Sequence, residues 1–401
     1  MQINMFASSE IETNLRDGVL TIPEGVTHLE DSCYSKFTDT PIGKDAAGSI
    51  SKIIFPKSLT NMGGYAFGGM KSLQEVFFND GIEIVGDESS FAFCKNLKVV
   101  TLPMTAKSIG SSAFEGCESL SVINNLHDGL LRVGRKAFAG CENLELAKLP
   151  QSLMSIDDYA FNSCKKLNCE IPQSVRFIGD GAFAACFGLT TASIPGVVEM
   201  INDDCFRGCF RGCLSLAKVT LSNNVDSIGK GAFAYCESLK SIDLSRMRLN
   251  HLGESAFEGC SNLEEIKFNL SFGVSSPDQI DYETEEGFNS SGLNLIYPKT
   301  FKNCSSLRYV TLPRSVFYIE DEAFCGCTNL DDIVWDSFEI GEIGPNAFYG
   351  TKFLADIEAD RARKQQSHNP APSTGGSGCL TSILLAFSII ALATFVLSTI
   401  M

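Results

Sequence analysis

Ile109-Gly110-Ser111-Ser112-Ala113-Phe114-Glu115-Gly116-Cys117-Glu118-Ser119-Leu120 decides the fold, because the chain keeps returning to it. The order Ala-Phe-x-x-Cys-x-x-Leu recurs from Ala137, Ala160, Ala182, Ala232, Ala256 and Ala323. Counting only the phenylalanine anchor, the series is Phe67, Phe91, Phe114, Phe138, Phe161, Phe183, Phe210, Phe233, Phe257, Phe301, Phe324 and Phe348. Its steps are 24, 23, 24, 23, 22, 27, 23, 24, 44, 23 and 24 residues. A fixed period of this size is the signature of a solenoid, in which each unit buries its apolar face only by stacking on its neighbours. The expected fold is a β-rich solenoid of about 12–13 units of 22–24 residues.

Both long steps have readable causes. Phe206-Arg207-Gly208-Cys209 is repeated at once as Phe210-Arg211-Gly212-Cys213, which adds four residues. The step of 44 contains the polar, acidic stretch 271–298, read as either an eroded repeat or a protruding loop, and a protruding loop is a candidate contact site. Leu97-x-x-Val100-x-Leu102-Pro103 recurs as Leu307 to Pro313, and without the proline as Leu216-x-x-Val219-x-Leu221 and Leu239-x-x-Ile242-x-Leu244. Alternation of Val100 and Leu102 with polar residues predicts a short strand with one buried face, ended by a proline that has no N–H for the ladder. Ile109-Gly110, Ile178-Gly179, Ile228-Gly229 and Leu252-Gly253 then predict a tight bend made by glycine.

Ten of the 16 cysteines share one repeat position: Cys94, Cys117, Cys141, Cys164, Cys186, Cys213, Cys236, Cys260, Cys304 and Cys327. Such a column is expected to be a reduced ladder of small buried apolar side chains rather than a set of bridges. Met70 and Thr351 fill the slot near the two ends of the series. Zinc is not expected, since no CxxC pair is present and the four histidines are scattered. A net charge of -16 argues against nucleic acid, whose phosphates need a basic face. No P-loop, GxSxG or HExxH occurs, and Asp157-Asp158, Asp203-Asp204 and Asp331-Asp332 lack the spacing of a calcium loop. No catalytic residue, metal or cofactor is therefore expected.

The organisation read from composition is an N-terminal cap over 1–19, the solenoid over 20–355, a charged then Pro/Ser/Gly-rich linker over 356–378, and an apolar segment over 379–401. The last segment has no charge from Leu380 onward and is long enough to span a bilayer, so a single-pass C-terminal transmembrane helix is expected. Ser373-Thr374-Gly375 before it partly fits a GPI signal. Residues 1–19 show no signal-peptide pattern, and Arg361, Arg363 and Lys364 flank the apolar segment, which favours a cytosol-facing tail anchor. Sequons at Asn269, Asn289 and Asn303 offer a way to tell the two sides of the membrane apart.

The combined pattern, Ile-Gly-x-x-Ala-Phe-x-x-Cys-x-x-Leu-x-x-Val-x-Leu-Pro, resembles the BspA-like leucine-rich repeats over roughly 18–355. With its C-terminal apolar segment the chain is similar to the surface antigens of parasitic protists that carry such repeats. The resemblance implies a leucine-rich-repeat-like array, non-enzymatic, at the cell surface, adhering to host-cell or matrix proteins. The outward strand positions then become the candidate binding face: Lys98, Thr101, Lys218, Thr220, Lys240, Asp243, Glu264, Lys267, Arg308, Tyr309 and Thr311. Tyr309 alone supplies the aromatic anchor that interfaces favour. The alternative expectation is an intracellular scaffold for protein–protein contacts.

Overall fold

A computed structural model describes residues 5–39, 47–195, 208–273, 292–335 and 342–355. The chain forms two compact units, one built from residues up to 199 with Cys209–Leu216 and one from the remainder. Each is a stack of β-solenoid coils.

In the first unit the predicted strands form one six-stranded sheet. Its spatial order is Val122–Asn124, Val99–Thr101, Glu75–Phe78, Lys52–Phe55, Val19–Thr21 and Leu15–Arg16. Every pair is parallel except the last, where the chain turns back on itself through Asp17 and Gly18, both at positive φ. The register places Ile53, Val76 and Val100 in one inward column, each almost fully buried. Pro103 follows the strand and its carbonyl accepts the N–H of Ala106, so the residue that ends the ladder also opens the next turn. At the N-terminal side Met5–Phe6 pairs with His28–Leu29, and Phe6 and Ile11 are buried against the first coil.

The apolar-glycine step is a second sheet rather than a bend. Ile84–Val85, Ser108–Ile109, Arg132–Val133, Ser155–Ile156 and Phe177–Ile178 pair in parallel, one per coil. Of the glycines that follow, Gly110, Gly134 and Gly179 do not use positive φ, whereas Gly86 does. A Cβ on Gly110 would stand 2.3 Å from the Asp87 Cα, and one on Gly179 would stand 2.4 Å from the Asp158 backbone nitrogen. Glycine is required there because two backbones meet. Left-handed residues fall instead two places before the anchor, as at Ser112, Lys136 and Tyr159, and two places after it, as at Gly116 and Gly140.

The Ala-Phe-x-x-Cys arc closes each coil and ties it to the next. In the first unit the anchor rings from Phe67 to Phe183, and on to Phe210, stack with centroids 5.5–5.8 Å apart. The backbone N–H of Phe114 donates to the Ala137 carbonyl at 2.8 Å, and Phe138 and Phe161 repeat the bond to Ala160 and Ala182. The Phe114 carbonyl accepts from the Cys117 N–H of its own coil and from the Cys141 thiol of the next, at 3.1 and 3.2 Å. The same thiol-to-phenylalanine bond runs from Cys94, Cys117, Cys164, Cys186 and Cys213. Cysteine is thus a buried donor as well as a small apolar side chain, and it fills the second lone pair of a carbonyl that water cannot reach.

The second unit follows the same plan. Ser241–Leu244 pairs with Glu265–Phe268, and Tyr309–Leu312 with Asp332–Trp335. Ser227–Ile228 pairs with His251–Leu252, and Leu295–Ile296 with Tyr318–Ile319. Rings stack through Phe233, Phe257, Phe301, Phe324 and Phe348 at 5.1–5.7 Å. Cys260, Cys304 and Cys327 donate to Phe233, Phe257 and Phe301. Phe257 and Phe301 are 44 residues apart in sequence yet stack directly at 5.7 Å, and Cys304 donates to Phe257. The two anchors therefore belong to adjacent coils, and the end of the stretch 271–298 is part of the later coil, where Leu295–Ile296 is its second-sheet strand. Residues 274–291 lie outside the described residues, as do 356–378 and the apolar segment 379–401. Among the described residues no helix is long and apolar enough to cross a membrane.

Candidate functional site

Two rows of side chains point outward from the main strands, at the residues flanking the buried valine or isoleucine. In the first unit one row is Lys52, Glu75, Val99 and Val122, and the other is Ile54, Phe77, Thr101 and Asn124. Lys52 and Glu75 are ion-paired at 2.9 Å, and Asn124 donates its amide to the Thr101 hydroxyl at 3.2 Å. Phe77 is 37% exposed in the middle of this polar face. In the second unit Asp243 lies opposite Lys267, Tyr309 opposite Asp332, and Thr311 opposite Val334. Tyr309 is 54% exposed, and Val334 beside Thr311 is also exposed. Bonds from the Ser245 hydroxyl and backbone N–H hold the Asp243 carboxyl below its ordinary range, so it stays charged on this face.

The eleven candidates from sequence divide into two kinds. Thr101, Lys218, Thr220, Asp243, Lys267, Tyr309 and Thr311 lie on strands. Lys98, Lys240, Glu264 and Arg308 stand one residue before a strand. The structure gives that position a backbone duty: the Lys98 carbonyl accepts from Ser121 and Val122, and that of Lys240 from Glu264 and Glu265. The Lys98 side chain borders a polar depression of about 380 Å³ with Lys71, Ser51, Ser72, Gln74 and Asn96, and no carboxylate lines it. Lys98 and Thr101 belong to the first unit, and the other nine to the second.

Aromatic anchors are more numerous than the strand pattern indicates. Besides Tyr309, exposed rings include Phe77, Phe177 and Tyr349, and four more at left-handed positions: Tyr65, Phe93, Tyr159 and Tyr235. Phe93 covers Gly116 of the next coil, Tyr159 covers Gly181 and Tyr235 covers Gly259; in each case a Cβ on the glycine would fall 2.5–2.6 Å from the ring. These rings trade a strained backbone for a lid over neighbouring backbone. The sequence signal for them is a glycine one period downstream at the same repeat position.

The cysteine column offers no reactive site. Its ten members are free and buried. Burial pushes the Cys213 and Cys260 thiols up to about 12 and raises Cys164 and Cys186 well above their ordinary range, so they remain neutral. Among the described residues no group of histidine, cysteine, aspartate and glutamate side chains is arranged to hold a metal ion.

Comparison with known proteins gives the pattern a family. A family model described as BspA type leucine rich repeat region (6 copies) matches residues 44–127, 123–209, 207–277 and 287–367. The chain is similar in structure to a leucine-rich repeat protein from Bacteroides ovatus, at 25% identity and a TM-score of 0.59, over 85% of this chain and 89% of that one. It is also matched to a leucine rich cell surface protein from Faecalibacterium prausnitzii, at 19% identity, over 80% and 88% of the two chains, with a TM-score of 0.38. A leucine rich repeat protein of T. pallidum matches at 26% identity over 53% and 78%, with a TM-score of 0.34. Among curated proteins the comparison finds no match.

Proposed function

The chain belongs to the BspA-type leucine-rich repeat family, and from that premise we propose that it is a non-enzymatic recognition protein whose outward strand rows bind a protein partner. The observation that carries this reading is the register. Parallel pairing fixes Ile54, Phe77, Thr101 and Asn124 in one row, so residues about 23 positions apart in sequence form one contiguous face. That face combines an exposed ring with hydrogen-bonding neighbours, the composition that interface centres favour. The finer proposal is adhesion to a host-cell or extracellular-matrix protein, with the chain tethered to a membrane through 379–401. The full chain is expected to bind intact host cells or immobilised matrix proteins, and Phe77→Ser with Tyr309→Ser is expected to weaken that binding at least tenfold at unchanged stability. Absence of binding to every such surface contradicts adhesion.

A cytosol-facing, tail-anchored scaffold is the second reading, favoured by Arg361, Arg363 and Lys364 ahead of the apolar segment. The cysteines no longer separate the two, because buried, hydrogen-bonded thiols persist on either side of a membrane. Asn303 does. It is an exposed sequon, whereas the amide of Asn269 is engaged with the Met247 carbonyl at 3.0 Å. A glycan on Asn303 in the native host would exclude the cytosolic reading, and protease shaving of intact cells tests the same point.

A further inference from the structure

The outward row of the second sheet in the first unit is Ile84, Ser108, Arg132, Ser155 and Phe177, one residue from each coil. At its Phe177 end lies a depression of about 520 Å³, lined by Ser111, Arg132, Arg135, Ser155, Asp157, Asp158 and Phe177. None of these residues belongs to the main-strand face considered above.

The depression is organised from below. Asp157 is only 9% exposed. One of its carboxylate oxygens accepts from both Nε and Nη2 of Arg132, and the other accepts from the Ser155 hydroxyl at 2.6 Å. This pair locks the Arg132 guanidinium in place, and its Nη1 makes no hydrogen bond among the described residues. The Asp158 carboxylate has one oxygen engaged, accepting the Asp180 N–H at 3.1 Å. Arg135 is exposed and makes no ion pair among the described residues. Among the described residues Phe177 holds the last place in the row, directly across the strand pair from Ser155, and it is 41% exposed.

Three features select the class of ligand. The charges of Arg132 and Arg135 are cancelled by those of Asp157 and Asp158, so the lining gives an acidic ligand no net attraction. Arg132–Val133 and Ser155–Ile156 are each paired on both sides, and among the described residues only the two-residue strand Phe177–Ile178 ends the sheet beside them, so a peptide added there would gain few backbone bonds. What remains is one apolar ring surrounded by planar or hydroxylic groups that both donate and accept. A pyranose has the matching surface: a C–H face to lie on the ring, and adjacent hydroxyls that donate to Asp158 and accept from Arg135 and Arg132. We infer that this depression is a binding site for a neutral saccharide, seated on Phe177 and held through a pair of neighbouring hydroxyls by Arg135 and Asp158, with Arg132 fixed in position by Asp157.

The test is saturation-transfer NMR on the full chain with neutral gluco-, galacto- and manno-configured oligosaccharides at low-millimolar concentration. At least one is expected to receive saturation, strongest at its ring C–H protons. Phe177→Ala and Arg135→Ala, both at exposed side chains, are each expected to reduce affinity at least tenfold with the circular dichroism spectrum unchanged. Phe177→Tyr and the distant Phe77→Ala are expected to bind as the parent does. The inference is overturned if no neutral oligosaccharide receives saturation, if binding survives both alanine variants, or if only uronate-containing or sulfated oligosaccharides bind. Loss of protein-partner binding in Phe77→Ser bears on the main-strand reading alone, so the two can fail separately.

Discussion

Within one coil, the arc from Ala113 to Cys117 and the strand from Val99 to Thr101 follow opposite rules. Along the arc, Ala, Phe and Cys recur at almost every coil, because each makes the same contact with the coil beside it: ring on ring, N–H to alanine carbonyl, thiol to phenylalanine carbonyl. On the outward rows the residues change from coil to coil, as from Phe77 to Thr101 to Asn124, because their neighbours are solvent and one another. Repetition in this chain marks what holds coils together, and variation marks what they present.

Breaking the arc should cost most. Phe161→Ala removes a fully buried ring stacked on both sides, and is expected to lower unfolding free energy by roughly 3–5 kcal/mol in denaturant titration. Alkali should attack the same seam. Burial raises the folded-state pKa of the column thiols above the ordinary 9.0, so the folded state keeps protons that the unfolded chain releases. Stability is then full below pH 9 and falls as pH rises beyond it, by about 1.4 kcal/mol per pH unit for each such thiol. Melting temperatures measured between pH 7 and pH 11 check the sign, and a flat profile contradicts it. Next in size, Cys141→Ala should cost roughly 1–2 kcal/mol, and Cys141→Ser less, since the hydroxyl keeps a donor for the Phe114 carbonyl.

The outward rows should barely respond. Thr101→Ala is expected to stay within about 0.5 kcal/mol of the parent. Asp226 sharpens the comparison at the low end. Desolvation raises its carboxyl pKa, and neither its Oδ1 nor the Ser227 hydroxyl has a partner among the described residues. The folded state therefore binds that proton more tightly than the unfolded chain does, so Asp226 costs stability at neutral pH. Asp226→Asn should remove the small gain that the parent shows as pH falls through the raised pKa, read from melting temperatures of the two proteins.

The same comparison explains what could be read from the sequence. The anchor period, the buried valine of each strand and the cysteine column were legible because each is a side-chain choice repeated in register. In the stretch 271–298 no period is repeated, and the part that belongs to a coil, Leu295–Ile296, shows itself only through backbone pairing. Gly110 and Gly179 were misleading, because a glycine needed for close approach and one needed for positive φ look alike in sequence. The second sheet was illegible for a different reason: two residues such as Arg132–Val133 give no alternation to recognise. Without that sheet, Arg132 and Phe177 had no shared row, so no candidate site could include them. The thiol donors were hidden because their acceptors belong to the preceding coil.

The claim that repeated residues are the inter-coil contacts is tested most directly by alkylating the native protein with iodoacetamide at neutral pH and mapping the modified peptides. Among the described cysteines, 13 are buried and Cys325 alone is partly exposed, so Cys325 is the one expected to be labelled before denaturant is added. Rapid native labelling of Cys117, Cys141 and Cys164, or their recovery as disulfides, would contradict the account.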